Sequence, residues 1–451
     1  MGNLLAPLCL AALLLLNACP PETPDAAQGT GLAGILVPAD LMGMVHAGSR
    51  FDRVQDEYDL LDELGVVWIL KDFSWSGIQP GKDAWNLDAY KTYADNGKAR
   101  GKKILALLDY DVGWIHDGTY DDDPHTDGKS HEYISKKEIP LFCEYVKKTA
   151  RHYKDRVDAW CIWNEPNLQP RFWTGTKEEF FALTKAAAAA IREVNPGAVV
   201  VGGAFNTLAN EAWIRGIFES GAMDQIDAIA YHPYTPGYLG AEAVYNNFKA
   251  LVAEYGFEDK IWITEVGYPT QGSYGTEVPE DHIPDMMIKT VIPLLAGNAK
   301  HIFWYHLFDP PSNRQDPEDS EDWFGLVKDD FEKKKGADAY SLVSKHIPGK
   351  TYYSLLPERS GIPDSIRAYY FEGNDGKHTL IIWNDDPVSD KQVTVTLPGS
   401  GGKTYDAQSG EPAAIGETAT VTLRSRFSPN PNLGFFTWEN TDAAKPPRIS
   451  G

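Results

Sequence analysis

Ala159-Trp160-Cys161-Ile162-Trp163-Asn164-Glu165-Pro166-Asn167 is an apolar run that stops on a glutamate. Ile261-Trp262-Ile263-Thr264-Glu265-Val266-Gly267 repeats that design further along the chain. Neither run alternates apolar with polar residues, as a strand with one wet face would. A strand covered on both faces reads this way, and that is the mark of a parallel sheet lying under helices.

Six more runs of this kind end near Met44-Val45-His46, Trp68-Ile69-Leu70-Lys71, Ile104-Leu105-Ala106-Leu107-Leu108, Val199-Val200-Val201, Ala228-Ile229-Ala230-Tyr231 and Ile302-Phe303-Trp304-Tyr305. Helical patterns separate them. Phe51, Val54, Tyr58 and Leu61 recur at helical spacing and are closed by Gly65. The segment from Lys177 to Val194 is stopped by Pro196-Gly197. Eight strand–helix repeats over residues 42–346 predict a closed (β/α)8 TIM barrel, an α/β fold. The alternative, a doubly wound sheet, would want a glycine-rich turn after the first strand, and His46-Ala47-Gly48-Ser49 is a poor one.

Past Lys350 the helical period vanishes. Short runs at Ser365–Phe371, Thr379–Trp383, Gln392–Leu397, Ala419–Leu423 and Gly434–Trp438 are separated by turn clusters such as Asn374-Asp375-Gly376 and Gly399-Ser400-Gly401-Gly402. Residues 347–441 therefore predict an all-β, sandwich-like accessory domain, with 442–451 as a tail. The connection near 347–353 is too short for a free linker, so the two domains should pack together.

The first residues have their own logic. Leu4 to Leu16 form an apolar run too short to span a bilayer and long enough for a signal-peptide core, which sets residues 1–18 apart. The run ends in Leu16-Asn17-Ala18-Cys19, which resembles a bacterial lipobox and marks Cys19 for lipidation in an exported, membrane-anchored protein. Residues 1–4 carry no Lys or Arg, a departure from the usual positive start; a plain secretion signal is the alternative. Residues 19–41 read as a lipidated tether, rich in Pro, Ala, Gly and Thr up to residue 33. Cys143 and Cys161 remain beyond it. They suggest two free thiols, with one disulfide allowed after export.

The chain of 451 residues has 64 acidic against 42 basic side chains, a formal charge of −22. Such a surface repels nucleic acid and anionic lipid. No HExxH string or Cys/His cluster is present, so no metal site and no cofactor is expected.

In a barrel the reacting groups sit where the strands end at their C-terminal side. Those ends carry His46, Lys71, Asp109, Asn164, Glu165, His232, Tyr234, Glu265 and Trp304, with Trp75 close behind the second strand. The set is titratable and aromatic, which suits a sugar. Two facing glutamates are what cleavage of a glycosidic bond needs: one protonates the leaving oxygen, the other attacks or activates water.

The chain at this point resembles the retaining glycoside hydrolases of clan A. Trp163-Asn164-Glu165-Pro166-Asn167 is similar to that clan's acid/base motif after the fourth strand, and Thr264-Glu265-Val266-Gly267 to its nucleophile motif after the seventh. Asp72-Phe73-Ser74-Trp75, Arg151 to Val157 and Phe324-Gly325-Leu326 resemble glycoside hydrolase family 39 and related bacterial exopolysaccharide endoglycosidases. The resemblance implies a retaining β-glycosidase with Glu165 as acid/base, Glu265 as nucleophile and Asn164 as a donor to the sugar. Lys71 departs from it, since an arginine is frequent there and an ammonium cannot replace a bidentate guanidinium.

In that scheme Glu165 holds a proton near neutrality, favoured by apolar walls or a nearby negative charge, and Glu265 is ionised. Tyr234 would hold Glu265 in place. His232 and His46 could bind substrate or be structural. Trp75 and Trp304 could stack on sugar faces, though core packing is the more frequent role of any one tryptophan. Long segments at Gly113–Ile139 and Thr270–Ile283 would wall a cleft, which favours endo action of a monomer on a β-linked polysaccharide. An exo-acting β-xylosidase or β-glucosidase is the second reading. A non-catalytic sugar-binding lipoprotein is the third, and retention of both glutamates speaks against it.

Overall fold

Eight parallel strands close on themselves in sequence order, as the apolar runs require. A computed structural model describes residues 34–46, 52–115, 133–354, 363–426, 428, 433–440 and 446–450. Residues 1–33, including Cys19 and the whole expected signal, lie outside the described residues. A short strand β1 (Ile35–Leu36) precedes the barrel. The barrel strands are β2 (Met42–Val45), β3 (Trp68–Asp72), β4 (Lys103–Leu108), β5 (Ala159–Ile162), β6 (Val199–Asn206), β7 (Ala228–His232), β8 (Ile261–Val266) and β9 (His301–Trp304). β9 pairs with β2, Met42 beside Ile302, and so closes the ring.

The apolar runs are covered on both faces by two different cores. Val45, Trp68, Leu70, Leu105, Cys161, Ala230, Trp262 and Phe303 pack with one another inside the barrel. The residues between them, such as Ile69, Ile104, Trp160, Ile162, Ile263 and Trp304, face outward under the helices. Period-two alternation therefore holds within each strand although polarity does not reveal it.

Helix ends follow local chemistry. α1 (Val54–Leu64) stops where Gly65 takes φ 75°, a left-handed turn that a glycine adopts freely. α5 (Lys177–Val194) starts on a capping box, with the Thr176 hydroxyl accepting from Glu179 N and the Glu179 carboxylate accepting from Thr176 N. Cys143 on α4 (Ile139–Tyr153) and Cys161 on β5 are both free.

The β domain is a sandwich. A seven-stranded sheet includes β10 (Thr351–Ser354), β11 (Ile366–Glu372), β12 (Lys377–Asn384), β14 (Ser400–Tyr405) and β17 (Leu433–Glu439); a three-stranded sheet holds β13 (Lys391–Thr396), β16 (Thr418–Leu423) and β18 (Arg448–Ser450). Tyr370, Leu380, Ile382 and Phe436 face Val393, Val395 and Leu423 between the sheets. Tyr369, Phe371, Ile381, Trp383 and Phe435, on the opposite face, join the barrel's own core. Shared apolar packing thus holds the domains together, as expected from the short connection. Arg367 adds bonds to Glu242 (3.2 Å) on α7 (Tyr238–Ala253) and to Asp385 (2.9 Å).

Two boundaries shift. Residues 34–41, read as the end of a tether, carry β1, which pairs Ile35 with Tyr352 of the β domain, and bury Val37 and Leu41. The segment read as a tail contains β18, which pairs Ile449 with Val395. Both are edge additions of two or three residues, too short to show a period.

Candidate active site

The C-terminal mouth of the barrel holds a pocket of about 380 Å³. The backbone there is bent away from regular strand. Trp163 (φ 62°) and Glu165 (φ 41°) after β5, Ala204 (φ 43°) within β6 and His46 (φ 54°) after β2 all adopt the left-handed region without being glycine. Such residues store on the order of 1–3 kcal/mol each and cluster at functional sites. The bend is locked by Glu165 N donating to Ala204 O (3.0 Å), where the β6–β7 register slips between Gly202 and Phe205. Trp163 anchors the other side: it is fully buried, and its Nε1 donates to Phe172 O (2.8 Å).

Glu165 (5% exposed) and Glu265 (9% exposed) enter this pocket from the ends of β5 and β8. One oxygen of each carboxylate and one ring nitrogen of His232 lie within 4.8 Å of one another. Asn206 Nδ2 donates to Glu165 Oε1 (2.7 Å), and Asn206 is itself gripped by Asn167, whose Oδ1 accepts from Asn206 N (2.9 Å). Tyr234 donates its hydroxyl to Glu265 Oε2 (3.1 Å). His232 Nδ1 sits 2.8 Å from Glu165 Oε1, and its Nε2 is 2.8 Å from Thr264 Oγ1.

Burial pushes the Glu265 carboxyl up to about 8; His232 opposes this, and the charges of Glu165 and Glu321 add to it. Burial works against a charged His232, but the two carboxylates hold its affinity for a proton above the ordinary value. Burial of Glu265 thus opposes the ionised form that attack would require, and His232 and the Tyr234 hydroxyl favour it.

A third carboxylate completes the wall. Glu321, in the loop after β9, binds Arg171 (2.9 Å) and accepts hydroxyl bonds from Tyr274 (2.8 Å) and Tyr305 (2.9 Å). Burial disfavours its charge, yet Arg171 and these hydroxyls hold it below the usual range.

Asn164, His46 and Tyr234 line the pocket as anticipated. His232 is instead 1% exposed and touches the carboxylates rather than the pocket surface. Lys71 does not line the pocket. Leu70 and Asp72 take the inward positions of β3, so alternation sends Lys71 to the other face. Trp304 is likewise turned outward, buried beside Tyr268, while Tyr305 turns in. Trp75 is fully buried among Trp114, Phe142 and Tyr145, its Nε1 donating to Gln79. Asp109 is buried and does not line the pocket; neither of its oxygens has a hydrogen-bond partner, and burial, with Asp72 adding and Lys71 opposing, pushes its carboxyl well above the usual range. The pocket-lining residues that the sequence did not put forward are Arg171, Asn206, Tyr274 and Glu321. Tyr110 and Tyr305 line it too, each at a strand end and one residue past Asp109 and Trp304.

Glu165, His232 and Glu265 are also, among the described residues, a group able to hold a metal ion. A zinc ion takes such imidazole and carboxylate ligands. Glu165 Oε1 already accepts from Asn206 and Glu265 Oε2 from Tyr234, while His232 Nδ1 is engaged with Glu165, a hydrogen-bonded arrangement that suits proton transfer.

Residues 129–260 match the sequence model for glycosyl hydrolases family 39. The resemblance to family 39 is thus borne out; the matched segment contains Arg151 to Val157 and Glu165 and ends before Glu265. A β-xylosidase of Caldicellulosiruptor saccharolyticus is 38% identical over 100 residues, 20% of this chain and 20% of that protein. The chain thus matches about one fifth of the length of that curated relative. Among solved structures, a family 39 glycoside hydrolase from the gut symbiont Bacteroides cellulosilyticus WH2 superposes with a TM-score of 0.69 at 18% identity, covering 89% of this chain and 81% of that one. A monomeric β-xylosidase from Caulobacter crescentus CB15 does so with a TM-score of 0.61 at 16% identity, covering 91% and 98%. At such identities the likeness shows the fold, a TM-score of this size over both the barrel and the β domain.

Proposed function

We propose that this chain is a retaining β-glycoside hydrolase in which Glu265 is the nucleophile and Glu165 the acid/base. The observation that carries this is the pair of buried carboxylates meeting within 4.8 Å over one pocket. Retention uses carboxyl groups about 5–5.5 Å apart, whereas inversion needs roughly 6.5–9.5 Å to admit a water between them. Glu265 attacks the anomeric carbon as the glycosidic C–O bond breaks, and Glu165 gives its proton to the departing oxygen. Glu165 then takes a proton from water, whose oxygen displaces Glu265 and leaves the product with its original configuration. The productive arrangement has a proton on Glu165 and none on Glu265. Tyr234, donating to Glu265, favours it by stabilising negative charge there.

Two modes are open to such a site. The β-xylosidase relative and a pocket of about 380 Å³, small among ligand sites, support exo action on a β-xyloside or β-glucoside. The long segments after the third and seventh strands support endo action on a β-linked polysaccharide. Hydrolysis followed by proton NMR tests the mechanism, since the first-formed sugar should be the β anomer; an α anomer would overturn it. Product sizes from a polysaccharide panel separate the modes, monosaccharide alone marking exo action and a ladder of oligosaccharides endo action.

We also propose that the chain is exported and tethered through a lipid on Cys19. The lipobox-like string Leu16-Asn17-Ala18-Cys19 supports this. Among the described residues no helix is long and apolar enough to cross a membrane.

A further inference from the structure

A second cleft, of about 550 Å³, lies where the end of α9 (Gly336–His346) meets the β domain. It shares no lining residue with the catalytic pocket. Lys345 and Lys350 reach it from the end of α9 and the turn that follows; Lys377 of β12 and Lys403 of β14 reach it from the other side. Four ammonium groups in one cleft run against the grain of a chain whose net charge is −22.

The opposing charge is thin. Asp375 and Glu439 are the acidic residues on the wall, and Asp375 sits 3.6 Å from Lys377. Lys345, Lys350 and Lys403 form no ion pair with a described residue; Lys350 donates instead to Thr379 Oγ1 (2.7 Å). Burial lowers Lys350 to about 8, with Asp375 opposing the shift and Lys377 adding to it. Burial, and then the charges of Lys350, Lys345 and Lys403, push the His346 ring down to about 4. The cleft thus holds more cationic than anionic groups. A ligand that supplied anionic oxygens would relieve that excess.

We infer that this cleft binds an acidic saccharide, a sugar chain whose carboxylates lie between the lysines of α9 and those of β12 and β14. The volume is that of a small-molecule site and exceeds what one free oxyanion would fill. Cations on opposite walls call for a ligand with more than one anionic group. Separate ammonium point charges suit scattered carboxylates, with no planar guanidinium fork required. The saccharide part rests on the proposed glycosidase reading, while the oxyanion part stands on the cleft alone.

Calorimetric titration of the full chain with trigalacturonate, xylotriose and inorganic phosphate tests this, beside the Lys345→Glu/Lys403→Glu variant. Both side chains are exposed, so the variant should fold, which a melting curve checks; Lys345→Gln/Lys403→Gln serves if it does not. Trigalacturonate should bind the wild type at least about tenfold more tightly than either variant, and more weakly as salt rises. Xylotriose binding and aryl β-glycoside turnover should be equal in all three proteins. Equal trigalacturonate binding by wild type and variants, or none, overturns the proposal. Phosphate that binds as tightly as trigalacturonate and displaces it fully also overturns it, leaving a free-anion site. Should aryl glycosides resist hydrolysis while trigalacturonate binding still depends on the lysines, the cleft assignment holds and the glycosidase reading fails.

Discussion

The Nδ1 atom of His232 lies 2.8 Å from Oε1 of Glu165 and 3.6 Å from Oε2 of Glu265, so one buried ring touches both carboxylates of the pocket. A ring so placed acts on proton distribution. As a cation it favours the ionised form of each carboxylate and so counters the burial that raises Glu265's affinity for a proton.

His232→Asn should therefore shift a pH profile. Without the cation, Glu265 holds its proton to higher pH. The acidic limb of kcat/KM, which reports ionisation of the nucleophile in the free protein, should move up by about one unit. A variant with lower activity and an unmoved limb would reduce His232 to a packing role.

The two glutamates should part company under azide. Glu165→Ala should lose about 10²–10⁴-fold on substrates with poor leaving groups and far less on activated aryl glycosides. Azide needs no base, so it should restore turnover of the aryl glycoside and yield the β-glycosyl azide. Glu265→Ala should give the α-azide, by direct displacement from the vacated face. Exchanged products would exchange the roles.

Stability should report the strained proton at Glu265. Its folded-state value, about 8, stands above that of an unfolded glutamate. Between those values the folded chain binds a proton the unfolded chain releases, so this residue's contribution to stability falls as pH rises through that window. Glu265→Gln removes the titration. Its melting temperature relative to wild type should rise from pH 5 to pH 8, by a free energy on the order of 1 kcal/mol or more. A difference independent of pH would contradict the raised value.

Trp304 and Tyr305 should behave as opposites. Trp304 is 1% exposed under the helices, so Trp304→Ala should destabilise the fold by about 3–5 kcal/mol. Trp304→Phe should leave KM as it is. Tyr305→Phe removes a hydroxyl bond to Glu321 on the pocket wall and should raise KM with little change in melting temperature. A KM raised by Trp304→Phe alone would restore the tryptophan as a sugar platform.

Cys19→Ser should move the protein from the membrane fraction to the soluble one, because the acyl chains on that residue would be the anchor. Fractionation of the host decides it. A wild type already fully soluble would end the lipobox reading.

Much of this molecule is written in local pattern. Eight apolar runs, each bounded by a helix, allow little besides a closed parallel sheet, and the observed strands fall within a few residues of those runs except β6, which continues to Asn206. Glu165 and Glu265 could be singled out because a carboxylate ending an apolar strand is costly to bury and needs a reason. The side chain's direction was not legible. A strand covered on both faces is apolar at every position, so its pattern does not say which parity points inward. That is why Lys71 and Trp304 were placed in a pocket that Asp72 and Tyr305 line. The wall built by Arg171, Tyr274 and Glu321 was equally silent in the sequence. These residues are distant along the chain, come from different loops, and acquire a shared purpose only when the barrel closes. Local sequence sets period and strand ends; which side chains meet is decided by closure of the barrel, because contact between loops is a property of the whole ring.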